Sequence, residues 1–491
     1  MNNSKRLFNL LVALTLGLVC PAAAAGVHQA TGFKVVNVTS TAADIWTRVT
    51  LRAAANPADA PLPRVEAFEV KTGKPVALRE NRAFPDTRVV VQMPDGLDLG
   101  GAAGGAPAAT GQTRVRFRPK GTAAWSETPW QHARLEQDGI AVHSLSGIAP
   151  GTHYELVAQA RRDADDRETD DQPGEFKTAP LPEHRGPVTF CVMTCQQYEH
   201  LDRPDGLAIY PAMGALKPDF FVNTGDAVYY DHGPVIALTS ALARYHWARM
   251  FALPTLRDFH RNYTSFFMKD DHDILSNDCG PATRSGELSY AEGVRLFREQ
   301  TALPQKASRT FRWGRDLQVW LMEGRDDRTP DWAENPGPAP ALWGRDQIKW
   351  LGETLAASTA TFRVILTTVP VVGPDRSNKD DNYANVGFAV EGKEVRELLG
   401  RYPNLTVITG DRHWQYVSVD PATSLNEWSV GPSSASHAGG WEEKTPRPEH
   451  RFLRTGEGGF FSGVITPTAT GASLELRLHD VQGRVVYREK K

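Results

Sequence analysis

From Val188 onward the sequence repeats one arrangement, in which a short apolar run gives way to polar residues and then to a helical pattern. Short apolar runs are typical of buried strands, and their alternation with helical patterns favours an α/β layered domain. The pattern predicts strands over 188–194, 220–223, 264–268, 317–322, 363–371 and 405–409. It predicts helices over 234–253 and 346–355, and the alternating residues of the tail predict a β-hairpin or meander over 463–487.

Four of these predicted strands end in side chains of the types that bind metals. They are Cys195 after the first run, Asp226 and Tyr229 after the second, Asp270, Asp271, His272 and Asp273 after the third, and Asp411 and His413 after the last. In open α/β sheets, sites form beyond the carboxyl ends of strands. Taken singly, Asp226 could cap a helix and Tyr229 could pack in a core. Together the four motifs indicate a metal site, because clustered carboxylates repel one another unless a cation lies among them.

The residues before this domain have an all-β character. Short β-prone runs at 33–38 and 43–49 show partial alternation. A turn and strand at 145–156 resemble the corner before a late strand of fibronectin-type-III-like sandwiches. We therefore expect a β-sandwich domain over 27–182, a short linker, and the α/β domain over 187–491. The Gly- and Ala-rich stretch 95–112 is expected to be a mobile loop.

The first 25 residues have the features of a secretory leader. Two basic residues precede an apolar run at 7–19, and small residues at 23–25 offer a cleavage site. We expect an exported protein, periplasmic or secreted, and residues 4–8 resemble a degenerate twin-arginine signal. Cys20 would permit lipidation, although Val19 before it is bulkier than such a site usually accepts. No run is long and apolar enough for a comfortable membrane span, and a formal net charge of −3 gives no sign of a nucleic-acid partner.

Taken in order, these blocks resemble the metallophosphoesterase superfamily and, within it, the alkaline phosphatase D (PhoD-like) family. The resemblance lies in Cys195-Gln196 with 198–200, in Gly225-Asp226 with Tyr229, in 270–273, and in Gly410-Asp411 with His413. Residues 323–328 are similar to the family's Asp-x-Arg-x-x-Arg block, 345–351 to its next helix, and 46–48 and 175–178 to its fibronectin-like front domain. The resemblance implies an α/β layered metallophosphoesterase-type sandwich, with mixed sheets flanked by helices, preceded by an all-β fibronectin-III-like domain.

The resemblance also implies one Fe³⁺ held by Cys195 and Tyr229, with Ca²⁺ beside it. Asp271 stands where the wider superfamily has Asn, Asp411 stands where it has His, and residues 367–370 replace a VxxH block. More oxygen ligands and fewer nitrogen ligands suit harder cations such as Ca²⁺. The expected metal ligands are Cys195, Asp226, Tyr229, Asp271, Asp411 and His413.

On this basis we expect a phosphoesterase that cleaves small phosphate monoesters or diesters with a metal-activated water. Asp226 would bridge the cations, Arg325 would bind a phosphate oxygen, and His272 would protonate the leaving alkoxide. Arg325 could instead form a surface ion pair, and His272 could instead orient another group. Two alternative functions remain: a phosphodiesterase or phospholipase D-like hydrolase on the same site, and a sandwich-domain binding protein that has lost its metals. The sequence says nothing about the oligomeric state.

Overall fold

The computed structural model of the 491-residue chain describes residues 27–94, 97–329, 340–376, 379, 381–443 and 446–491. The leader predicted over 1–25, with its twin-arginine-like motif and Cys20, lies outside the described residues. In the described part of the chain, no helix combines the length and the apolar character that a membrane span needs.

Strands make up most of the regular structure before residue 182, and strands and helices alternate after it. The strands of the first part are β1 (Phe33–Val36), β2 (Ala42–Arg48), β3 (Arg64–Glu69), β4 (Pro75–Val76), β5 (Thr87–Gln92), β6 (Gly111–Pro119), β7 (Ser126–Glu127), β8 (Gln131–Ala133), β9 (Ile140–Ser146), β10 (His153–Arg161) and β11 (Asp170–Lys177). Those of the second part are β12 (Val188–Met193), β13 (Phe220–Asn223), β14 (Thr264–Phe267), β15 (Arg284–Ser285), β16 (Leu288–Ser289), β17 (Arg309–Trp313), β18 (Leu317–Leu321), β19 (Phe362–Thr367), β20 (Leu405–Thr409), β21 (Gln415–Val419), β22 (Asn426–Ser429), β23 (His450–Arg454), β24 (Gly459–Pro467), β25 (Ala472–Asp480) and β26 (Val485–Lys490).

Six α-helices are present among the described residues, all of them after residue 208. They are α1 (Ile209–Ala215), α2 (Ser240–Phe251), α3 (Pro254–His260), α4 (Tyr290–Thr301), α5 (Gly344–Ala357) and α6 (Ala389–Leu399). Helix α2 begins later than the predicted 234–253, because the side chain of Thr239 accepts a hydrogen bond from the backbone N–H of Leu242 and caps the helix there.

Two large sheets lie face to face in the centre of the molecule. One has nine strands in the order β26-β25-β24-β12-β13-β14-β1-β2-β9, and the other has seven in the order β17-β18-β19-β20-β22-β21-β23. Phe190 and Phe220 of the first sheet and Val319 and Leu366 of the second belong to one buried apolar cluster between them. Burial of each such side chain contributes about 1.5–3 kcal/mol, so this cluster is the main core.

The helices cover the outer faces of both sheets. Successive residues of a strand point to opposite faces, so Phe221, next to Phe220, packs instead against helices α1 to α4. In the same way Trp320, next to Val319, lies in a third cluster with residues of α5 and α6. The result is a four-layer α/β/β/α sandwich, and the predicted α/β layered architecture with mixed sheets flanked by helices is confirmed. Burial on both faces also explains why the central strands have continuous apolar sequences.

The predicted boundary at 182–187 does not separate two independent sets of sheets. Strand β1 pairs in parallel with β14, with Val36 opposite Ser265, and β2 and β9 extend the same sheet. Leu156 and Phe176 from the first part also belong to the central apolar cluster. The division into domains 27–182 and 187–491 therefore needs correction, since the two parts share a sheet and a core.

The rest of the first part is built from a five-stranded sheet of β6, β7, β8, β10 and β11 and a three-stranded sheet of β3, β4 and β5. Strands are thus the main elements here, as predicted, while the fibronectin-III-like assignment remains a prediction. The expectation of a mobile loop over 95–112 does not hold for its central part. Ala102 and Ala106 are buried, and Tyr245 of α2 donates a hydrogen bond to the backbone oxygen of Ala103, because small side chains let this segment pack closely.

Candidate metal centre and active site

The candidate ligands lie on four loops that follow β12, β13, β14 and β20. Strands β12, β13 and β14 are parallel neighbours, so their carboxyl ends meet at one edge of the nine-stranded sheet. Strand β20 belongs to the seven-stranded sheet that packs against it. The loops also bond to one another: the backbone N–H of Cys195 donates to the oxygen of Gly225, and that of Asp411 donates to the hydroxyl of Thr194. The two central sheets thus contribute to a single site.

Three of the predicted ligands adopt a left-handed backbone conformation. The φ angles of Cys195, Asp226 and Asp411 are 51°, 55° and 59°. Such angles cost free energy for residues other than glycine, and they concentrate at functional sites where the surrounding structure enforces them. Each of these three turns comes within three residues of the strand end, so the chain bends sharply where these ligand candidates lie.

The predicted iron ligands and Asp226 form a connected group. The Sγ atom of Cys195 lies 3.4 Å from Oδ2 of Asp226, and the hydroxyl of Tyr229 donates to the same oxygen at 3.0 Å. Nε2 of His413 lies 3.3 Å from the Tyr229 hydroxyl. One thiol, one phenol, one carboxylate and one imidazole therefore converge, and these are ligand types that suit a transition metal.

The carboxylates form a second, overlapping group. One oxygen each of Asp226, Asp270 and Asp411 lie within 4.8 Å of one another, and so do ligand atoms of Asp226, Asp271 and His272. Among the described residues, Oδ1 of Asp226 and Oδ2 of Asp270 are buried and have no hydrogen-bond partner. Asp226 belongs to both groups, which is the geometry expected of a bridging ligand. Unpaired buried carboxylate oxygens are costly unless a cation compensates them, so these residues fit a metal centre.

The pKa values of these groups also indicate a site for cations. Burial, and to a lesser extent the neighbouring Asp271, raises the pKa of Asp226 to about 6. Burial raises the pKa of Asp411 to about 7, although Arg412 opposes the shift. Burial, together with the charge of Asp226, raises the pKa values of the Cys195 thiol and the Tyr229 phenol well above their ordinary values. Positive charge in the site would favour the anionic form of all four groups, and the Cys195 thiol and the Tyr229 phenol need it to become anionic near neutral pH.

His272 lines the cavity above this cluster and is held in a fixed orientation. Its Nδ1 lies 2.6 Å from Oδ1 of Asp231, and its ring stacks on Tyr229 with the ring centres 4.3 Å apart. Burial alone would lower the pKa of His272, but Asp231, Asp271 and Asp226 outweigh it and raise the pKa well above the ordinary value. His272 is therefore positioned to carry a proton at Nε2, with Asp231 fixing the other ring nitrogen.

Arg325 lies in a different place from the one expected of a phosphate ligand. Its side chain is fully buried beneath the carboxylates, where Nε donates to Asp270 and Nη2 lies 3.3 Å from Asp271. Nη2 also lies 3.8 Å from Asp381. Arg325 does not line the cavity in the described structure. We therefore correct its expected role from binding phosphate to neutralising and positioning the carboxylates.

A cavity of about 570 Å³ opens above the metal-type residues. Tyr229, His272, Asp411 and His413 lie in its walls, and the other lining residues include several that we did not predict. These are Glu80, Asn81, Gln197, His200, His232, Asn277, Asp278, Arg376, Lys379, Trp414, His437, Gly439 and Gly440.

Sequence reasoning missed several residues of the site for identifiable reasons. Asp270 was singled out in the acidic run, yet only its neighbour Asp271 was predicted as a ligand. His437, whose ring centre lies 4.1 Å from that of His413, and Arg376 sit in segments without a recognisable motif. Asp231 follows Tyr229 by two positions, but nothing local links it to His272. Of these residues, only Asp270 could have been predicted as a ligand from the sequence, because it lies in the acidic run 270–273. The contacts of the others form between segments that are distant in the chain.

Two solved structures share this architecture. The structure of PhoD matches with a TM-score of 0.69 and 16% identity, covering 94% of this chain and 88% of that one. A purple acid phosphatase from yellow lupin (Lupinus luteus) seeds matches with a TM-score of 0.58 and 13% identity, covering 91% and 79%. Together with the carboxylate cluster at the strand ends, these likenesses define the fold as that of the metallophosphoesterases.

The sequence comparisons narrow this class to a family. The model of the PhoD-like phosphatases matches residues 190–445, which is more than half of the sequence, and the chain belongs to that family. Alkaline phosphatase D of Bacillus subtilis (strain 168) is 24% identical over 291 residues, which are 50% of this chain and 49% of that protein. The chain thus matches about half the length of this curated relative.

Proposed function

We propose that the protein hydrolyses esters of phosphoric acid with the help of bound metal ions. The observation that carries this proposal is the convergence of Asp226, Asp270 and Asp411. Asp226 and Asp270 have unpaired buried oxygens, and Asp411 lines an open cavity. Membership of the PhoD-like family supports the same reaction class. The substrates we propose are small phosphate monoesters or diesters that fit the cavity.

The donor atoms support two kinds of cation. Cys195 and Tyr229, with Asp226, would hold Fe³⁺, since thiolate and phenolate favour a transition metal. Asp270, Asp271 and Asp411 offer oxygens and would hold Ca²⁺, which prefers oxygen ligands. Bound cations would polarise the phosphate group and lower the pKa of an attacking water.

The remaining steps fall to side chains of the chain itself. His272, held by Asp231 through Nδ1, would give the proton at Nε2 to the leaving alkoxide. Arg376 takes the phosphate-binding role that we had expected of Arg325: it lines the cavity, about a third of its side chain is exposed, and its guanidinium lies over Trp414. A guanidinium so placed can donate two parallel hydrogen bonds to a phosphate. We further propose that the protein is exported, which rests on the leader features of residues 1–25.

The iron assignment predicts that the purified protein is coloured. Thiolate and phenolate donate electrons to Fe³⁺ and give a visible charge-transfer band, which neither Ca²⁺ nor Zn²⁺ can produce. Tyr229→Phe should weaken or shift the band, and Cys195→Ser should also lower the iron content. Tyr230→Phe is the matched control, because Tyr230 is equally buried but bonds to Trp247 instead.

The same preparations test the reaction class by hydrolysis of p-nitrophenyl phosphate and bis-p-nitrophenyl phosphate, whose rates separate monoesterase from diesterase activity. Metal-replete, active protein without visible absorption would exclude Fe³⁺ bound by Cys195 and Tyr229. Metal-replete protein that cleaves neither substrate would count against the phosphoesterase assignment and favour a binding protein.

A further inference from the structure

A loop from the first part of the chain forms one wall of the cavity. Glu80 and Asn81, between β4 and β5, are lining residues. Hydrogen bonds hold their loop at two points. The backbone N–H of Asn81 donates to the backbone oxygen of Asp231. The N–H of Phe84 donates to the hydroxyl of Ser285, and the oxygen of Phe84 accepts from the N–H of Gly286. The loop is therefore built into the site, although it lies far from the metal-type motifs in sequence.

Glu80 is an exposed residue of the cavity wall, and its carboxylate is only partly bonded to the protein. One of its carboxylate oxygens, Oε1, accepts a hydrogen bond from the backbone N–H of Gly233 at 2.9 Å. Within the described ranges its other oxygen has no ion-pair or hydrogen-bond partner. The other acids of the cavity wall are engaged, since Asp278 pairs with Lys379 at 2.8 Å and Asp411 pairs with Arg412. Glu80 thus presents a free acceptor that carries negative charge.

Glu80 lies on the side of the cavity where the leaving alcohol of a bound substrate would lie. The phosphate end of the substrate would be bound by Arg376 and by the cations that the carboxylate cluster holds. His272, the proposed proton donor to the leaving group, is bonded to Asp231, and the backbone of Asp231 in turn contacts the Glu80 loop at Asn81. A leaving group beside His272 would therefore face this wall.

We propose that Glu80 recognises a hydrogen-bond donor on the leaving group, so that the preferred substrates are phosphate esters of alcohols bearing a hydroxyl or ammonium group. This inference rests on the proposed phosphoesterase function and deepens it. A carboxylate is a strong acceptor for either donor and offers nothing to an aliphatic group. Glu80 acts here as a specificity-determining residue and not as a catalytic one.

Three esters that differ only at one end test the proposal: ethyl phosphate, 2-hydroxyethyl phosphate and 2-aminoethyl phosphate. The parent protein should prefer one or both donor-bearing esters over ethyl phosphate in kcat/KM. Glu80→Gln keeps an oxygen that can accept from Gly233 but removes the charge. The substitution should reduce that preference about 10-fold, mainly by raising KM for the donor-bearing esters. A 10-fold change corresponds to the loss of one charge-assisted hydrogen bond. A loss confined to the amino ester identifies an ammonium, and a loss with the hydroxy ester identifies a hydroxyl.

Glu69→Gln is the matched control, because Glu69 ends β3 of the same small sheet, is exposed, and does not line the cavity. Equal losses with all three esters in Glu80→Gln would mean that Glu80 only supports the loop, and this would overturn the proposal. An equal change of preference in Glu69→Gln would also overturn it, since long-range charge would then suffice. If the metal-replete parent cleaves none of the esters and no other phosphate ester, the proposed function itself fails, which is a different result from activity without preference.

Discussion

Arg325 and Arg376 carry the same side chain in opposite surroundings. Arg325 is fully buried among Asp270, Asp271 and Asp381, whereas Arg376 is partly exposed in the cavity wall. A buried ion pair that loses one partner leaves an uncompensated charge, which costs about 3–5 kcal/mol. Arg376 has an ion pair with Asp375 at 3.5 Å, and an ion pair of a partly exposed arginine contributes little to folding. The two residues should therefore respond differently to the same substitution.

We predict that Arg376→Ala weakens inhibition by inorganic phosphate about 10-fold or more and changes the free energy of unfolding by less than about 1 kcal/mol. Arg325→Ala should instead lower the free energy of unfolding by about 3–5 kcal/mol. Denaturant titration and phosphate inhibition constants, measured on both variants, test the pair. Unchanged phosphate inhibition in Arg376→Ala would remove this residue from the site.

Two of the four strand-end loops depend on a glycine as well as on their candidate ligands. The sequence shows Gly-Asp twice, at Gly225-Asp226 and Gly410-Asp411, and the structure gives the reason. A Cβ atom on Gly225, whose φ is +105°, would lie 2.5 Å from the Cβ of Asp270. One on Gly410 would lie 2.7 Å from the hydroxyl of Thr194. These glycines allow neighbouring loops to approach until their carboxylates lie close enough to bind one cation.

We predict that Gly225→Ala lowers the metal content per chain, because the loops bearing Asp226 and Asp270 must move apart. Gly147→Ala is the control: its φ is also positive, at +69°, but a Cβ there meets nothing within 4 Å. Backbone strain alone costs about 1–2 kcal/mol, and Gly147→Ala should lose only that. Elemental analysis and unfolding free energies distinguish the two effects. Full metal occupancy in Gly225→Ala would show that close loop approach is not required.

Across the whole molecule, the sequence predicted what local patterns encode. The central strands could be predicted because burial on both faces leaves continuous apolar runs, and the clustering of the candidate ligands could be predicted because they follow those runs directly. The pairing of β1 with β14 could not, since it joins segments far apart in the chain and leaves no local pattern. The same reason hid Glu80, Arg376 and His437 from prediction.

The sheet shared by the two parts of the chain links the first part to the candidate site. Strands β1, β2 and β9 belong to the nine-stranded sheet that carries Cys195, Asp226 and Asp270. The first part of the chain therefore supports the candidate metal centre through the sheet. It also supplies the Glu80 wall of the cavity. The active site is therefore a property of both parts of the chain together.

The central claim is that bound metal ions are required for phosphate ester hydrolysis. Elemental analysis and activity of one preparation, before and after exhaustive chelation, test it most directly. We predict bound metal before chelation, loss of activity together with loss of metal, and recovery of much of the activity on adding Ca²⁺, since the ligand set is rich in oxygen. Full hydrolytic activity in protein shown by elemental analysis to be free of metal would contradict the account.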